Sequence, residues 1–253
     1  MKYPYLLAFL FLGLIPLSSY AAMHVDATNY GTSNWVAPVG SLTIMGWINP
    51  DNGNQNNAIF AVGSTTGNTV ALRYMSNWNA NANGLIQRWY ASTAADQITT
   101  ASTSNLSQWS FFRVGDDETN HLLTFQLWNA SGTLYASSSL AENATARLSS
   151  TGLVIGHSNP ADNSANVGCM ANLMIYNSVV SPASATQVMF QQTPATSSMS
   201  AFFPLANGTD TSELVGNKTI SFQGAPTTCT STPPFTIVPR SAIVSTWTQI
   251  ITD

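Results

Sequence analysis

Charged side chains are scarce in this sequence. They make up 7% of its 253 residues, against roughly a quarter in an average soluble domain. The formal net charge is −4, and the few basic residues are scattered along the chain. A surface without a basic patch lacks the electrostatic field that attracts nucleic acid or acidic lipid. We therefore expect no nucleic-acid partner.

Residue types that carry catalysis or bind metals are also few. The glutamates are Glu118, Glu142 and Glu213, each in a predicted loop or turn and far apart in sequence, so no obvious pair of carboxylates flanks a glycosidic bond as acid and nucleophile. The three histidines lie far apart without a Cys or carboxylate at zinc-ligand spacing. No nucleophile elbow, phosphate loop or dinucleotide fingerprint occurs. An enzyme, at most a glycoside hydrolase, is the minority interpretation.

Long apolar runs are missing except at the beginning of the chain. Lys2 precedes an apolar run from about Leu6 to Leu17, and Ser19-Tyr20-Ala21 forms a small-x-small cleavage site. The run is shorter than the about 20 residues that a transmembrane helix needs. We interpret residues 1–21 as a secretory signal peptide and expect a secreted, extracellular protein without a membrane span.

Only two cysteines are present, Cys169 and Cys229. In an exported chain they are expected to form one disulfide bond, although two free thiols are the alternative. The disulfide would tie a late strand to the C-terminal region.

No segment keeps a 3.6-residue apolar period for long; the nearest is Ser184 to Gln192, one or two helical turns. Short alternating segments with polar turns between them recur instead. Seven Trp, eight Tyr and eleven Phe supply a core. The pattern predicts an all-β fold, a two-sheet antiparallel sandwich. The predicted strands are Ser41–Ile48, 58–63, 69–74, 85–91, 110–114, 122–128, 133–137, a strand beginning at Leu153, a strand within 168–181, and segments near 201–208 and 213–220.

Three groups of these segments, taken in their order along the chain, are similar to segments of a known domain family. They are Leu42-Thr-Ile-Met-Gly-Trp47-Ile-Asn-Pro-Asp51; Gln108-Trp109-Ser-Phe-Phe-Arg-Val114 with the hairpin through Asn129-Ala-Ser-Gly132; and Leu153-Val-Ile-Gly156 with Gly168 to Ser181. In this order the chain resembles the laminin-G-like jelly-roll domains of the concanavalin A-like lectin and glucanase superfamily. The resemblance implies a jelly-roll domain over residues 22–232, followed by a β-prone tail, 233–253.

An asparagine-rich segment is the candidate ligand site. Trp78 lies between asparagines, and an exposed ring flanked by amides has the chemistry to stack on a sugar and bond its hydroxyls. The alternative is that Trp78 caps the sheet. Trp47, Trp89 and Trp109 are expected in the core, and Trp128 is open to either role. The predicted ligand-binding residues are Asn77, Trp78, Asn79, Asn81 and Trp128.

Two kinds of modification or ion site remain open. Asp116-Asp117-Glu118 is a solvated hairpin turn before Leu122, or else a calcium site or an acid pair. Oxygen-rich Asp162-Asn163 with Asn166 is a second possible calcium site, so no cofactor is expected unless calcium binds. Five N-glycosylation sequons occur, about as many as chance gives in so Asn-rich a chain: Asn105, Asn129, Asn143, Asn207 and Asn217.

Two main hypotheses about function are consistent with the sequence. One is a non-catalytic glycan-binding or adhesion module whose partners are glycans or glycoproteins of the extracellular matrix and cell surface. The other is a structural subunit of an extracellular coat or filament that self-assembles through residues 235–253, which can also complete the chain's own sheet.

Overall fold

A computed structural model describes residues 22–38, 40–51, 57–63, 70–76, 82–90, 94–101, 108–142, 151–157, 168–190 and 198–234. It contains fifteen strands and one helix within those ranges. In chain order these are β1 Met23–Val25, β2 Tyr30–Val36, β3 Leu42–Pro50, β4 Asn57–Gly63, β5 Val70–Ser76, β6 Ala82–Tyr90, β7 Ala94–Ala101, β8 Ser110–Asp117, β9 Leu122–Asn129, β10 Leu134–Ala141, β11 Thr151–Ile155, β12 Gly168–Tyr176, α1 Pro182–Val188, β13 Met199–Phe203, β14 Ile220–Gln223 and β15 Thr227–Thr228.

The strands form two antiparallel sheets. Sheet A has the order β10-β9-β8-β3-β12-β1-β15, and β13 also pairs with β12. Sheet B has the order β14-β2-β11-β4-β5-β6-β7. Neighbours in each sheet are often distant in sequence, as where β3 lies between β8 and β12. This is the predicted two-sheet jelly-roll sandwich.

The main core lies between the two sheets. Alternating residues of each strand point inward, because successive side chains in a strand face opposite sides. Aromatic rings fill its centre: Tyr74 contacts the rings of Phe60, Phe112 and Phe125 at centroid distances of 6.3, 5.2 and 5.0 Å. All four side chains are fully buried.

A second apolar cluster covers the outer face of sheet A. Trp47, Phe111 and Trp128 project outward from β3, β8 and β9, and α1 with the following turn packs over them. The Trp47 indole N–H donates to the Met189 carbonyl at 2.8 Å, which fastens the helix to the sheet. The central strands of sheet A are therefore buried on both faces.

The sequence predicts short alternating segments, but all nine residues of β12 are buried. Its inward residues, such as Ile175, join the core between the sheets, and its outward ones, such as Met174, join the second apolar cluster with α1. The prediction of one or two helical turns within residues 184–192 is confirmed, although the helix α1 lies slightly earlier, at Pro182–Val188. Ser181 caps it, accepting a hydrogen bond from the Ser184 backbone N–H at 3.1 Å.

Other strand boundaries differ from the sequence prediction. The segment from Glu213 is irregular until β14 begins at Ile220. Strands β2 and β7 were not predicted, because β7 has little apolar alternation and β2 mixes Gly, Ser and Asn with its buried residues. The predicted tail from residue 235 lies outside the described residues. Within the described ranges, no helix combines the length and apolar character that a membrane crossing needs.

The predicted disulfide is confirmed. Cys169 in β12 is bonded to Cys229, 60 residues later, and both are 5% exposed. The Cys229 backbone N–H also donates to the Ala22 carbonyl at 2.8 Å. The segment after β14 is thereby held against the edge of sheet A.

Candidate functional sites on sheet B and around the disulfide

A row of seven residues, polar at both ends and apolar in the middle, crosses the outer face of sheet B. We call it the polar row. Leu72, Tyr74 and Ile98 belong to the core, so the residues that alternate with them face away from it. Consecutive strand registers connect one such row over all seven strands of the sheet. The row is Ser221, Thr32, Val154, Ala61, Arg73, Gln87 and Gln97.

The two ends of this row carry hydrogen-bonding groups and its middle is apolar. Ser221 and Gln97 are exposed and Thr32 and Arg73 are partly exposed. Ala61 and Val154 are each 1% exposed and pack with Tyr30. The Tyr30 ring lies 4.7 Å from the ring of His157. Because the middle is buried, the row presents hydroxyl, amide and guanidinium groups at its two ends, and these are groups that bond sugar hydroxyls.

A recess of about 400 Å³ opens beside the disulfide on the outer side of sheet A. The strand registers place Thr227, His24, Cys169 and Asn49 in one row across its floor. The residues that line it are His24, Asn49, Pro50, Asp51, Cys169, Thr227, Thr228, Cys229, Thr230 and Ser231. Its lining combines hydroxyl, amide, imidazole and carboxylate groups with a similar share of apolar surface.

The acidic residues Asp116, Asp117 and Glu118 lie at the end of β8, where successive side chains point to opposite sides of the strand. Asp116 is fully buried, so only Asp117 and Glu118, both partly exposed, fit the predicted solvated turn before Leu122. Asp117 points the other way and closes the hairpin turn, accepting from the backbone N–H groups of Thr119 and Asn120, both at 3.1 Å. Burial raises the pKa of the Asp117 carboxyl, but hydrogen bonds from Asn120, Thr119 and Ser41 outweigh it and leave that pKa lowered.

Glu142, at the end of β10, joins Asp116 and Glu118. One carboxylate oxygen from each lies within 4.8 Å of the other two. Oxygens bound to one calcium ion at 2.3–2.6 Å lie at most about 5 Å apart, so this spacing fits a cation held by Asp116, Glu118 and Glu142. Three side chains supply fewer than the six to eight oxygens that calcium takes. Calcium binding stays a prediction here, and the Asp162-Asn163 site lies outside the described residues.

Glu213 has a structural setting. It is 4% exposed, and its Oε1 accepts from the backbone N–H groups of Phe202 at 3.0 Å and Val215 at 2.7 Å. Its Oε2 accepts from the Lys218 N–H at 3.1 Å. This carboxylate holds an irregular loop against β13.

The structure places Trp128 in the covered cluster on sheet A. It is 3% exposed and its ring centroid lies 6.1 Å from that of Phe111. A ring in this position presents no face to a ligand, which corrects the prediction that it contributes to binding. The core positions of Trp47 and Trp109, 0% and 7% exposed, are confirmed. Residues Asn77, Trp78, Asn79 and Asn81 lie outside the described residues, as does the Trp89 side chain.

Three of the five sequons fall in described turns. Asn129 and Asn207 each accept hydrogen bonds from the turn that follows them, at 3.0 Å from Ser131 N–H and 2.9 Å from Thr209 N–H. Asn217 is exposed, with φ of 54°. Asn105 and Asn143 lie outside the described residues, and glycan attachment at all five stays a prediction.

Comparison with known proteins identifies the family. Residues 23–186 match the laminin-G-3 family model of the concanavalin A-like lectin/glucanases superfamily. The chain belongs to this superfamily. Among curated proteins, none matches the sequence significantly.

Solved structures share the fold of this superfamily member. A proposed carbohydrate-binding protein from Bacteroides ovatus matches with a TM-score of 0.55 and 14% identity, over 81% of this chain and 60% of that one. Full-length tailspike protein 2 of an Escherichia coli O157:H7 bacteriophage matches with a TM-score of 0.57 and 10% identity, over 73% of this chain and 26% of that one. The chain spans less than two thirds of either protein. At such identities the similarity shows the fold alone.

Proposed function

We propose that this chain is a secreted, non-catalytic glycan-binding module that recognises extracellular glycans or glycoproteins. The observation that carries the proposal is the polar row on the outer face of sheet B. The outer face of sheet A is covered by α1 and its neighbours, so sheet B offers the broad face with hydrogen-bonding side chains. The Bacteroides ovatus protein named for carbohydrate binding has the same fold, which supports this choice of ligand class.

We further propose that the asparagine-rich segment of residues 77–81 contributes to the same binding site. It joins β5 and β6, and those strands contribute Arg73 and Gln87 to the polar row. We assign Trp78 a stacking role and Asn77, Asn79 and Asn81 hydrogen bonds to sugar hydroxyls. Stacking of an aromatic ring on the C–H face of a sugar combines with amide hydrogen bonds because sugars are amphipathic.

Secretion accords with the disulfide, because such bonds persist in oxidising compartments. The proposed mature chain begins near Ala22, and residues 22–232 form the jelly-roll domain. The few charged residues would then leave a neutral surface on which hydrogen bonds and stacking dominate recognition.

A glycan array probed with the purified protein, with and without calcium, tests the proposal. We expect retention of a subset of glycans, and at least a fivefold loss of affinity in Trp78→Ala and in Gln97→Ala. Gln108→Ala is the matched control, because Gln108 is also exposed but lies outside the polar row. Absence of binding under both conditions would overturn the proposal, and equal losses in the control would remove the assigned face.

Self-assembly through residues 235–253 is the second candidate. Among the described residues, β15 is the last strand at one edge of sheet A, and the chain continues from there toward the tail; a sheet edge is where strand addition takes place. Deletion of 235–253 should then lower the molar mass measured by light scattering. An unchanged mass argues against a role for the tail.

The cluster of Asp116, Glu118 and Glu142 is the observation that favours a glycosidase. Its 4.8 Å spacing resembles the about 5 Å between carboxyl groups of retaining glycosidases. Burial of Asp116 and Glu142, at 0% and 8% exposure, opposes this role because acid and nucleophile must flank a substrate bond. Sugar release that disappears in Glu118→Gln would support the enzyme, and a hydrolysis screen without turnover would remove it.

A further inference from the structure

The recess beside the disulfide has the features of a preformed binding site. Its outer wall, residues 227–231, is fixed to the sheet at several points. The Cys169–Cys229 bond is one, and the Asn49 Nδ2 donating to Ser231 Oγ at 3.1 Å is another. On the far side, the Gly208 backbone N–H donates to Thr228 Oγ1 at 3.3 Å. A wall held this way loses little conformational entropy when a ligand binds.

The polar groups of the recess are arranged for hydroxyl recognition. His24 Nε2 lies 3.2 Å from Asp51 Oδ2, which orients the imidazole and carboxylate toward each other at the rim. Asn49 uses one amide hydrogen on Ser231 and retains a second hydrogen and a carbonyl oxygen. Thr227 and Thr230 add exposed hydroxyls. Together these groups supply both donors and acceptors, as adjacent sugar hydroxyls require.

The size and charge of the recess narrow the ligand. About 400 Å³ lies near the lower end of the roughly 300–1,000 Å³ typical of small-molecule sites, which suits one sugar ring. The disulfide, with both cysteines 5% exposed, makes the recess rigid and contributes little surface for contact. The Asp51 carboxylate at the rim disfavours an acidic sugar through like-charge repulsion.

We infer that this recess binds a single neutral sugar residue, at a site separate from the face of sheet B. The inference rests on the proposed glycan-binding function and adds a second contact point on the opposite side of the sandwich. Asp51 and Asn49 would take a pair of adjacent hydroxyls, while Thr227 and Thr230 bond the remaining ones. Two such sites on one domain would let it join two glycan chains or two branches of one chain.

Titration with neutral methyl glycosides of glucose, galactose, mannose and N-acetylglucosamine tests the inference. In ¹H–¹⁵N spectra, amide signals of residues 227–231 and of His24 should shift with at least one of the four glycosides. Asp51→Asn should weaken that binding about tenfold, since it removes a charge-assisted hydrogen bond. Thr230→Val, which keeps the shape and removes one hydroxyl, should weaken it about threefold.

Thr211→Val is the matched control, because Thr211 is exposed but does not line the recess, and it should bind as the wild type does. Glycan retention on an array together with no response of residues 227–231 to any of the glycosides would overturn the inference while the proposed function stands. Binding that is unchanged in both recess variants would do the same. No response to any glycan in either experiment would overturn both.

Discussion

At the scale of single residues, Tyr74 shows how a polar atom can lie in the core without a role in binding. Its side chain is fully buried among three phenylalanine rings, and within the described residues its hydroxyl has no hydrogen-bond partner. Burial, with a contribution from the negative charge of ionised Tyr135, raises the pKa of Tyr74 well above its usual value.

Replacement of Tyr74 by Phe should therefore stabilise the protein by about 1 kcal/mol at neutral pH. In the wild type, the unfolded tyrosine releases its proton near pH 10 while the folded one retains it, so stability falls as pH rises above about 10. Tyr74→Phe should reduce that alkaline loss by up to about 1.4 kcal/mol per pH unit. Urea unfolding between neutral and alkaline pH measures both effects.

Tyr135→Phe is the comparison variant. Its hydroxyl bonds to Ser110 Oγ at 2.8 Å, so its removal should destabilise the protein by about 1 kcal/mol at neutral pH. If the two variants change stability in the same direction at neutral pH, the assignment for Tyr74 is wrong.

Glu213 is a glutamate whose surroundings indicate structure instead of catalysis. Its carboxylate accepts from three backbone N–H groups, and each charge-assisted bond contributes about 1.5–3 kcal/mol. Glu213→Ala should lower the free energy of unfolding by at least about 4 kcal/mol, and Glu213→Gln, which keeps one acceptor, by a smaller amount. Chemical denaturation measures the difference, and losses below about 0.5 kcal/mol in both variants would contradict this role.

At the scale of elements, the sequence predicts most strands but not how they are covered. The strands β3, β8 and β9 can be predicted because their apolar alternation depends only on residues that are adjacent in sequence. The burial of β12 on both sides and the meeting of Glu142 with Asp116 depend on residues far away in sequence. Trp128 illustrates this limit. Its position beside a hairpin is compatible with an exposed or a buried ring, and it is buried because α1 and the turn at Met189 cover this part of sheet A.

The disulfide is a feature that the presence of just two cysteines, together with the predicted export, does predict. It closes a loop of 60 residues, for which the restriction of the unfolded chain contributes about 4 kcal/mol. The double variant Cys169→Ala with Cys229→Ala should lower the melting temperature by about 10 °C for a domain of this size. Calorimetry compares it with the oxidised wild type, and a shift below about 2 °C would contradict a stabilising bond.

At the scale of the whole molecule, low charge and superfamily membership agree on the kind of recognition to expect. Hydrogen bonds and stacking between neutral groups are little affected by salt, whereas ion pairing between exposed charges is screened. The architecture follows from the sequence, because alternation and turn chemistry are repeated along the chain. The proposed binding face does not follow from it, since its row combines residues from seven strands that only the strand order brings together.

The proposed glycan binding is best tested by measuring affinity for glycans selected on the array. We expect saturable binding that changes less than about twofold between 50 and 500 mM salt, without release of free sugar. We also expect a fivefold or greater loss in Gln97→Ala and none in Gln108→Ala. Failure to retain any glycan at either salt concentration, or hydrolysis of the bound glycan, would contradict the proposal.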